Sequence, residues 1–293
     1  MIGELPGSRS IGPLPLAALG RFTSAWRGQE SDRSGRMVDA AMTVSPLLLG
    51  WIRLAQQHRG LSSAWLSGNA GFVSVIMEKR REITCLQPQI LAALVARSVA
   101  LDSVLPRVEG DQLFQRWEQL VHGLESKSVE QSLVLHTFLI GDVCGWLERL
   151  GSECVLPVLN DEYQRRTARN YFQHLPELSE CLGQARAIGS AVATREGCSP
   201  MERVRLVRLV AHAEALMERL RQGDANSEAG RIAIRCAGEL FSEIRSRMLM
   251  RTGVRVTAQA YFQLATQAID AVFEWIDTCG GQLSLALGPA GER

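Results

Sequence analysis

Apolar residues recur three and four positions apart through most of this chain, and nowhere do they alternate with period two for long enough to make a strand. One stretch sets Leu206, Leu209, Val210, Ala213, Leu216 and Leu220 on a single stripe; another does so with Phe262, Ala265, Ile269, Val272, Phe273 and Ile276. That periodicity confines the chain to an all-α fold. Start signals then divide it. Ser45-Pro46 reads as an N-cap with proline at the first helical position. Ser199-Pro200-Met201-Glu202 reads as a capping box with the same proline, and Asp111, Ser128, Asn226 and Thr257 are further cap candidates. The result is about eight long helices, at 45–69, 71–100, 111–125, 128–151, 158–173, 175–196, 199–222 and 226–250, with a ninth at 257–280. Short links between long helices favour antiparallel neighbours, so two antiparallel four-helix bundles are expected.

Residues 1–42 hold several Gly, Pro and Ser and a polar run at 27–36, which reads as a loosely ordered arm with one short helix near 16–26. The helical domain is expected over 43–282, followed by a flexible tail at 283–293. Lys and Arg number 32 against 31 Asp and Glu, a balance that disfavours direct nucleic-acid binding, which calls for a basic stripe. No apolar run reaches the length of a membrane span; the longest candidate, 44–51, contains Pro46 and is followed by Arg53. The seven cysteines are scattered without a C-x-x-C pair and read as free thiols in a reducing cytoplasm.

Within this helical pattern one segment occurs twice. Gln57-His58-Arg59-Gly60-Leu61-Ser62-Ser63-Ala64 and Gln184-Ala185-Arg186-Ala187-Ile188-Gly189-Ser190-Ala191 both fit Q-x-R-x-[LI]-x-S-A, and Arg186 lies 127 residues after Arg59. That separation is near half the helical length, as two related four-helix units require. In each copy an arginine precedes a serine by one turn within a small, apolar segment. Charge is rarely placed on a packed helical face without a partner, so Arg59, Arg186, Ser63 and Ser190 are candidates to hold an anion. The plainer alternative is a salt bridge or a side chain reaching water, with the small residues serving close helix packing. Of the run Lys79-Arg80-Arg81, Arg81 is the candidate to turn inward, since Met77 and Leu86 flank its side of the helix. Thr266 and Asp270, one turn apart, are candidates to orient a buried arginine, the alternative being a surface Asp and a core Thr.

The five histidines form no H-x-x-x-H pair and none follows a glutamate at three residues, so no metal or other cofactor is expected. His136 lies in an apolar run and reads as a core residue. Neither a G-x-G-x-x-G nor a Walker A loop is present, and Gly60-Leu61-Ser62-Ser63-Ala64 sits mid-helix where a nucleophile elbow does not. An enzyme is therefore not expected.

The segment LAQQHRGLSSAWL, residues 54–66, resembles the first-helix signature of the nitrate- and nitrite-sensing family. The likeness continues in Arg80-Arg81-Glu82-Ile83-Thr84, in Leu175-Pro176-Glu177-Leu178-Ser179-Glu180 leading to Gly183-Gln184-Ala185-Arg186, and in Tyr261-Phe262 with Thr266 and Ile269-Asp270. It spans about residues 45–280. The resemblance implies two four-helix bundles with nitrate or nitrite held by arginines where they meet, Arg59 matching the first signature and Arg186 the second-half motif. His58 stands where the family carries a glutamate. Relatives couple such a domain to an RNA-binding antiterminator, a kinase or a chemoreceptor; the expectation here is output through a partner protein, with a homodimer left open. The competing class is a helical scaffold whose arginines are simply paired with carboxylates.

Overall fold

The computed structural model describes residues 16–221, 227–250 and 253–288, with side chains from residue 32 onward. Among them there is no strand. Ten α-helices follow in chain order: α1 Leu16–Leu66, α2 Val73–Ala96, α3 Ser98–Leu101, α4 Arg107–His122, α5 Val129–Arg149, α6 Glu162–Arg169, α7 Leu175–Thr194, α8 Pro200–Arg221, α9 Glu228–Glu243 and α10 Ala258–Leu287. Wider π-helical turns at Leu150–Val155, Asn170–His174 and Ile244–Met248 extend α5, α6 and α9. The second of these runs straight into α7. Pro176 has no N–H to give the carbonyl four residues back, and the ladder widens there in place of the expected break at 174.

Several caps form as expected. Ser128 and Gln131 make a reciprocal capping box, Ser199 and Glu202 make another, and Thr257 accepts from the Ala260 amide. Asp111 lies inside α4, which starts four residues earlier. Ser227 caps α9, and Asn226 lies outside the described residues.

The N-terminal reading needs correction. α1 runs through Ser45-Pro46 without a break, so 16–42 are helical and only 1–15 of the proposed arm lie outside the described residues. Ser45 is buried and its hydroxyl lies 3.2 Å from that of Tyr171, so it caps nothing. Proline removes one helical hydrogen bond, a cost of about 3 kcal/mol. It is offset because Val38, Ala41, Val44, Leu48, Trp51 and Ile52 form one continuous buried stripe on both sides of it. The tail reading shifts too: Leu283 and Leu287 are buried on α10. With Pro46 inside the helix, Asp32–Leu66 becomes long and apolar enough to cross a membrane, yet half of its most apolar window is buried against the rest of the chain.

Packing places two helices at the centre. α1, α2, α4 and α5 close a ring in which α1 touches α2 and α5, and α4 touches the same two. In the second half α7 packs on α8 and α10, and α10 on α9. α1 and α7 pack on each other and join the halves into one hydrophobic core. Sixteen of the twenty α7 residues are buried, which is the signature of a helix enclosed on all sides.

Gly189 shows how close the approach is. A Cβ there would fall 2.2 Å from the Tyr261 ring, whose hydroxyl donates to the Ala185 carbonyl at 2.8 Å. Gly189→Ala is expected to destabilise the fold by about 3 kcal/mol through overpacking. Gly238→Ala, with open space around it on α9, should instead stabilise by about 0.5 kcal/mol. Urea unfolding midpoints read both; equal midpoints would show that Tyr261 does not seat on Gly189.

Candidate functional site

The two repeated segments meet at the α1–α7 contact, and each arginine lies against a glycine of the other helix. A Cβ on Gly183 would fall 2.8 Å from Arg59 Nη2, and one on Gly60 would fall 3.1 Å from Arg186 Nε. Any side chain at either position would push a guanidinium aside. Arg59 and Arg186 are both fully buried, as are Gln56, Ser62, Ser63 and Ser190 around them.

Their electrostatic surroundings differ. Arg59 donates Nη1 and Nη2 to the two oxygens of Glu180, at 2.6 and 3.0 Å, and Nη1 also to Thr137 Oγ1 at 3.0 Å. Glu180 further accepts from Gln56 and Gln184, each at 3.0 Å. This is a bidentate pair with every carboxylate oxygen engaged. Arg186 has no such partner. Its Nη1 donates to Thr266 Oγ1 at 3.0 Å, and its guanidinium stacks over Phe262 at 5.1 Å from the ring centre. Nε and Nη2 have no hydrogen-bond partner, nor does the buried hydroxyl of Ser190. Asp270, the nearest carboxylate on α10, is held by Arg53 at 2.8 Å. Burial, and then repulsion from Arg59, push the Arg186 guanidinium down to about 9, still a cation at neutral pH.

Nε and Nη2 form the side edge of a guanidinium, where two N–H bonds point the same way. A planar oxyanion accepts both at once. The unpartnered edge of Arg186 is thus a buried bidentate donor pair, and a buried cation without a counter-charge costs several kcal/mol.

The remaining candidates part company. Ser63 donates back to the Arg59 carbonyl at 3.0 Å, so only Ser190 of the two repeat serines has a free hydroxyl. Arg81 is exposed on α2 and does not join the pair; Arg80 is partly buried and stays at the surface, 3.5 Å from the exposed His122 and 3.9 Å from Glu118. The flanking residues Met77 and Leu86 belong to a rim, not to the core, and so do not draw Arg81 in. His58 sits in a buried aromatic cluster, with Nδ1 2.8 Å from His136 Nε2 and the Trp117 ring edge-on to both. Sequence reasoning missed Glu180 and Thr137 as partners of Arg59. A carboxylate one turn before Gln184, on the helix that carries the second repeat, was the available signal.

Outside the Arg59–Glu180 pair lies a groove of about 320 Å³ whose lining includes Thr137, Gln184, Ile188, Arg205 and Arg208. It connects solvent to the two residues that brace this pair. A larger cleft of about 720 Å³, between α4 and α5, contains only matched charges, Arg116 with Asp142 and Arg149 with Glu109.

A family model described as nitrate and nitrite sensing matches residues 52–284. The chain belongs to the nitrate- and nitrite-sensing family. Both repeated segments, Glu180 and the whole Arg186 surround fall within the matched region. No curated protein sequence matches this member of the family. Among solved structures it is similar to that of the NasR transcription antiterminator, with a TM-score of 0.72 and 16% identity, covering 92% of this chain and 74% of that one. At that identity the likeness speaks for the helical fold alone.

Proposed function

We propose that this chain is a sensor that takes nitrate or nitrite onto the unpartnered Nε–Nη2 edge of Arg186, beside Ser190 and next to the Arg59–Glu180 pair. The observation that carries this reading is the fully buried guanidinium with a free bidentate edge and no carboxylate. A scaffold needs its arginines paired. Arg59 meets that description and Arg186 does not. Ser190 has no hydrogen-bonded base, so it lacks the activation a nucleophile requires, and binding without turnover is the expected behaviour.

The anion sits between α1 and α7 in this reading, so it stabilises one packing of the two halves over others. It shifts that equilibrium only by its differential affinity, and a few kcal/mol suffices for a regulatory switch. The signal passes to a protein partner, such as an RNA-binding antiterminator or a kinase, that reads the packing. Four heavy atoms at about 1.5 kcal/mol each limit nitrate to a Kd near 40 μM.

Calorimetric titration of the full chain with nitrate and nitrite, at constant ionic strength against chloride, tests the reading. Saturable binding at tens to hundreds of micromolar is expected. Heats that match chloride throughout would leave the scaffold as the better description.

A further inference from the structure

The repeated arginines are alike in sequence and unequal in charge environment. The carboxylate of Glu180 occupies Arg59 as a planar oxyanion would, through two parallel bonds at 2.6 and 3.0 Å, and two glutamines complete its shell. It is part of the interior: its side chain is only 13% exposed. The neighbouring Arg53–Asp270 pair cancels itself. His58 and His136 are buried in contact with each other and carry no charge at neutral pH. The buried group therefore holds Arg59 and Arg186 against Glu180, an excess of one positive charge.

We infer that Glu180 is a built-in anion that fixes the charge selectivity of the site, so that one monovalent oxyanion neutralises it and a divalent oxyanion is rejected. This rests on the proposed reading of Arg186 as the anion site. A sulfate or hydrogen phosphate dianion placed on Arg186 leaves the interior with one uncompensated negative charge, and like charge at such range is strongly unfavourable. Geometry alone does not discriminate, because every oxyanion can present two oxygens to a guanidinium edge. The count of charges does. Glu180 thereby also relieves Arg59, whose two terminal nitrogens would otherwise compete for the ligand and permit a second anion or a dianion.

Glu180→Gln keeps the shape and removes the charge. The buried excess becomes two, and a dianion becomes the matching ligand. The Arg59→Gln/Glu180→Gln double variant removes both members of the pair and restores an excess of one on Arg186. It leaves no buried charge unpaired beyond the Arg186 that the wild type already carries, so it is expected to fold.

The test is calorimetric titration of the full chain with sodium nitrate and sodium sulfate at constant ionic strength, on wild type and both variants. Wild type is expected to saturate with nitrate and give no saturable heat with sulfate. Glu180→Gln is expected to raise the sulfate-to-nitrate affinity ratio by at least about tenfold. The double variant is expected to return to nitrate alone. A Glu180→Gln protein with the wild-type preference, or a double variant that prefers sulfate, overturns the inference while leaving the nitrate site standing. A wild type without nitrate binding overturns the site itself. If Glu180→Gln folds only with anion present, the anion that restores its helical circular dichroism reads the same preference: sulfate supports the inference and nitrate alone overturns it.

Discussion

Replacing Arg186 with methionine is expected to abolish the nitrate response and, at the same time, to make the ligand-free protein more stable. Methionine follows the arginine stem and fills its volume against Phe262 without a charge. The wild-type guanidinium is fully buried with two donors unpaired, which costs stability that only an anion returns. Even replacing a whole buried ion pair by packed apolar side chains is often neutral or gains about 1–4 kcal/mol, and Arg186 has no hydrogen-bonded carboxylate to leave behind. Wild type in nitrate at about 100 times its Kd should gain about 2.7 kcal/mol, and Arg186→Met should gain nothing. Chemical denaturation with and without nitrate separates the two effects. A variant that is less stable than wild type and still stabilised by nitrate would make Arg186 a structural residue and remove it from the site.

Acid is expected to weaken the fold well before the carboxylates titrate. His58 and His136 are buried in contact, and burial, followed by the Arg80 charge, pushes His58 down to about 3. His136 is pushed well below its ordinary value by burial, by His58 and by Arg59, against the opposing hydrogen bond to the Ser132 carbonyl. In the unfolded chain both titrate near 6.5. Below that pH the unfolded state binds protons that the folded state refuses. Stability is therefore complete above pH 6.5 and falls as the pH drops, until the folded pKa values are reached. His58 costs about 2 kcal/mol between pH 7 and pH 5, and His136 adds to it in the same direction. That is a large part of an ordinary folding free energy. His174, half-buried and also lowered, adds in the same direction. The depressed carboxylates Glu109, Glu202 and Glu214 act only below their ordinary range near 4.5, outside this window. Denaturant unfolding at pH 7, 6 and 5 measures the slope, and a His58→Met/His136→Met double variant should leave only the His174 share. An unchanged slope in that variant would mean the pair is not held neutral.

The helices were legible because each local signal has a local cause. Ser128, Ser199 and Thr257 cap helices through bonds to residues three positions on, and the apolar stripes at 206–220 and 262–276 need only a periodicity. Pro46 misled because its cost is local while its compensation is not: the buried stripe from Val38 to Ile52 and the Ser45–Tyr171 contact come from elements far along the chain. The candidate site was half legible. The repeat pointed to Arg59 and Arg186, and Thr266 was a visible candidate to orient one of them. What the repeat could not express is that its two arginines have different partners. Glu180 lies on the helix of Arg186 and yet neutralises Arg59, because the pairing crosses from α7 to α1.

From the sequence alone follow the all-helical class, most helix boundaries, the two arginine segments and the likeness to nitrate and nitrite sensors. These depend on spacing, capping and composition, which act within a few residues. Tertiary structure alone decided that α1 continues through Pro46, that Gly60 and Gly183 make room for the opposing guanidinium, and that Arg186 keeps two unpartnered donors while Arg59 is paired with Glu180. Burial and charge compensation are sums over everything that surrounds a group, and in this protein those surroundings come from both halves of the chain at once.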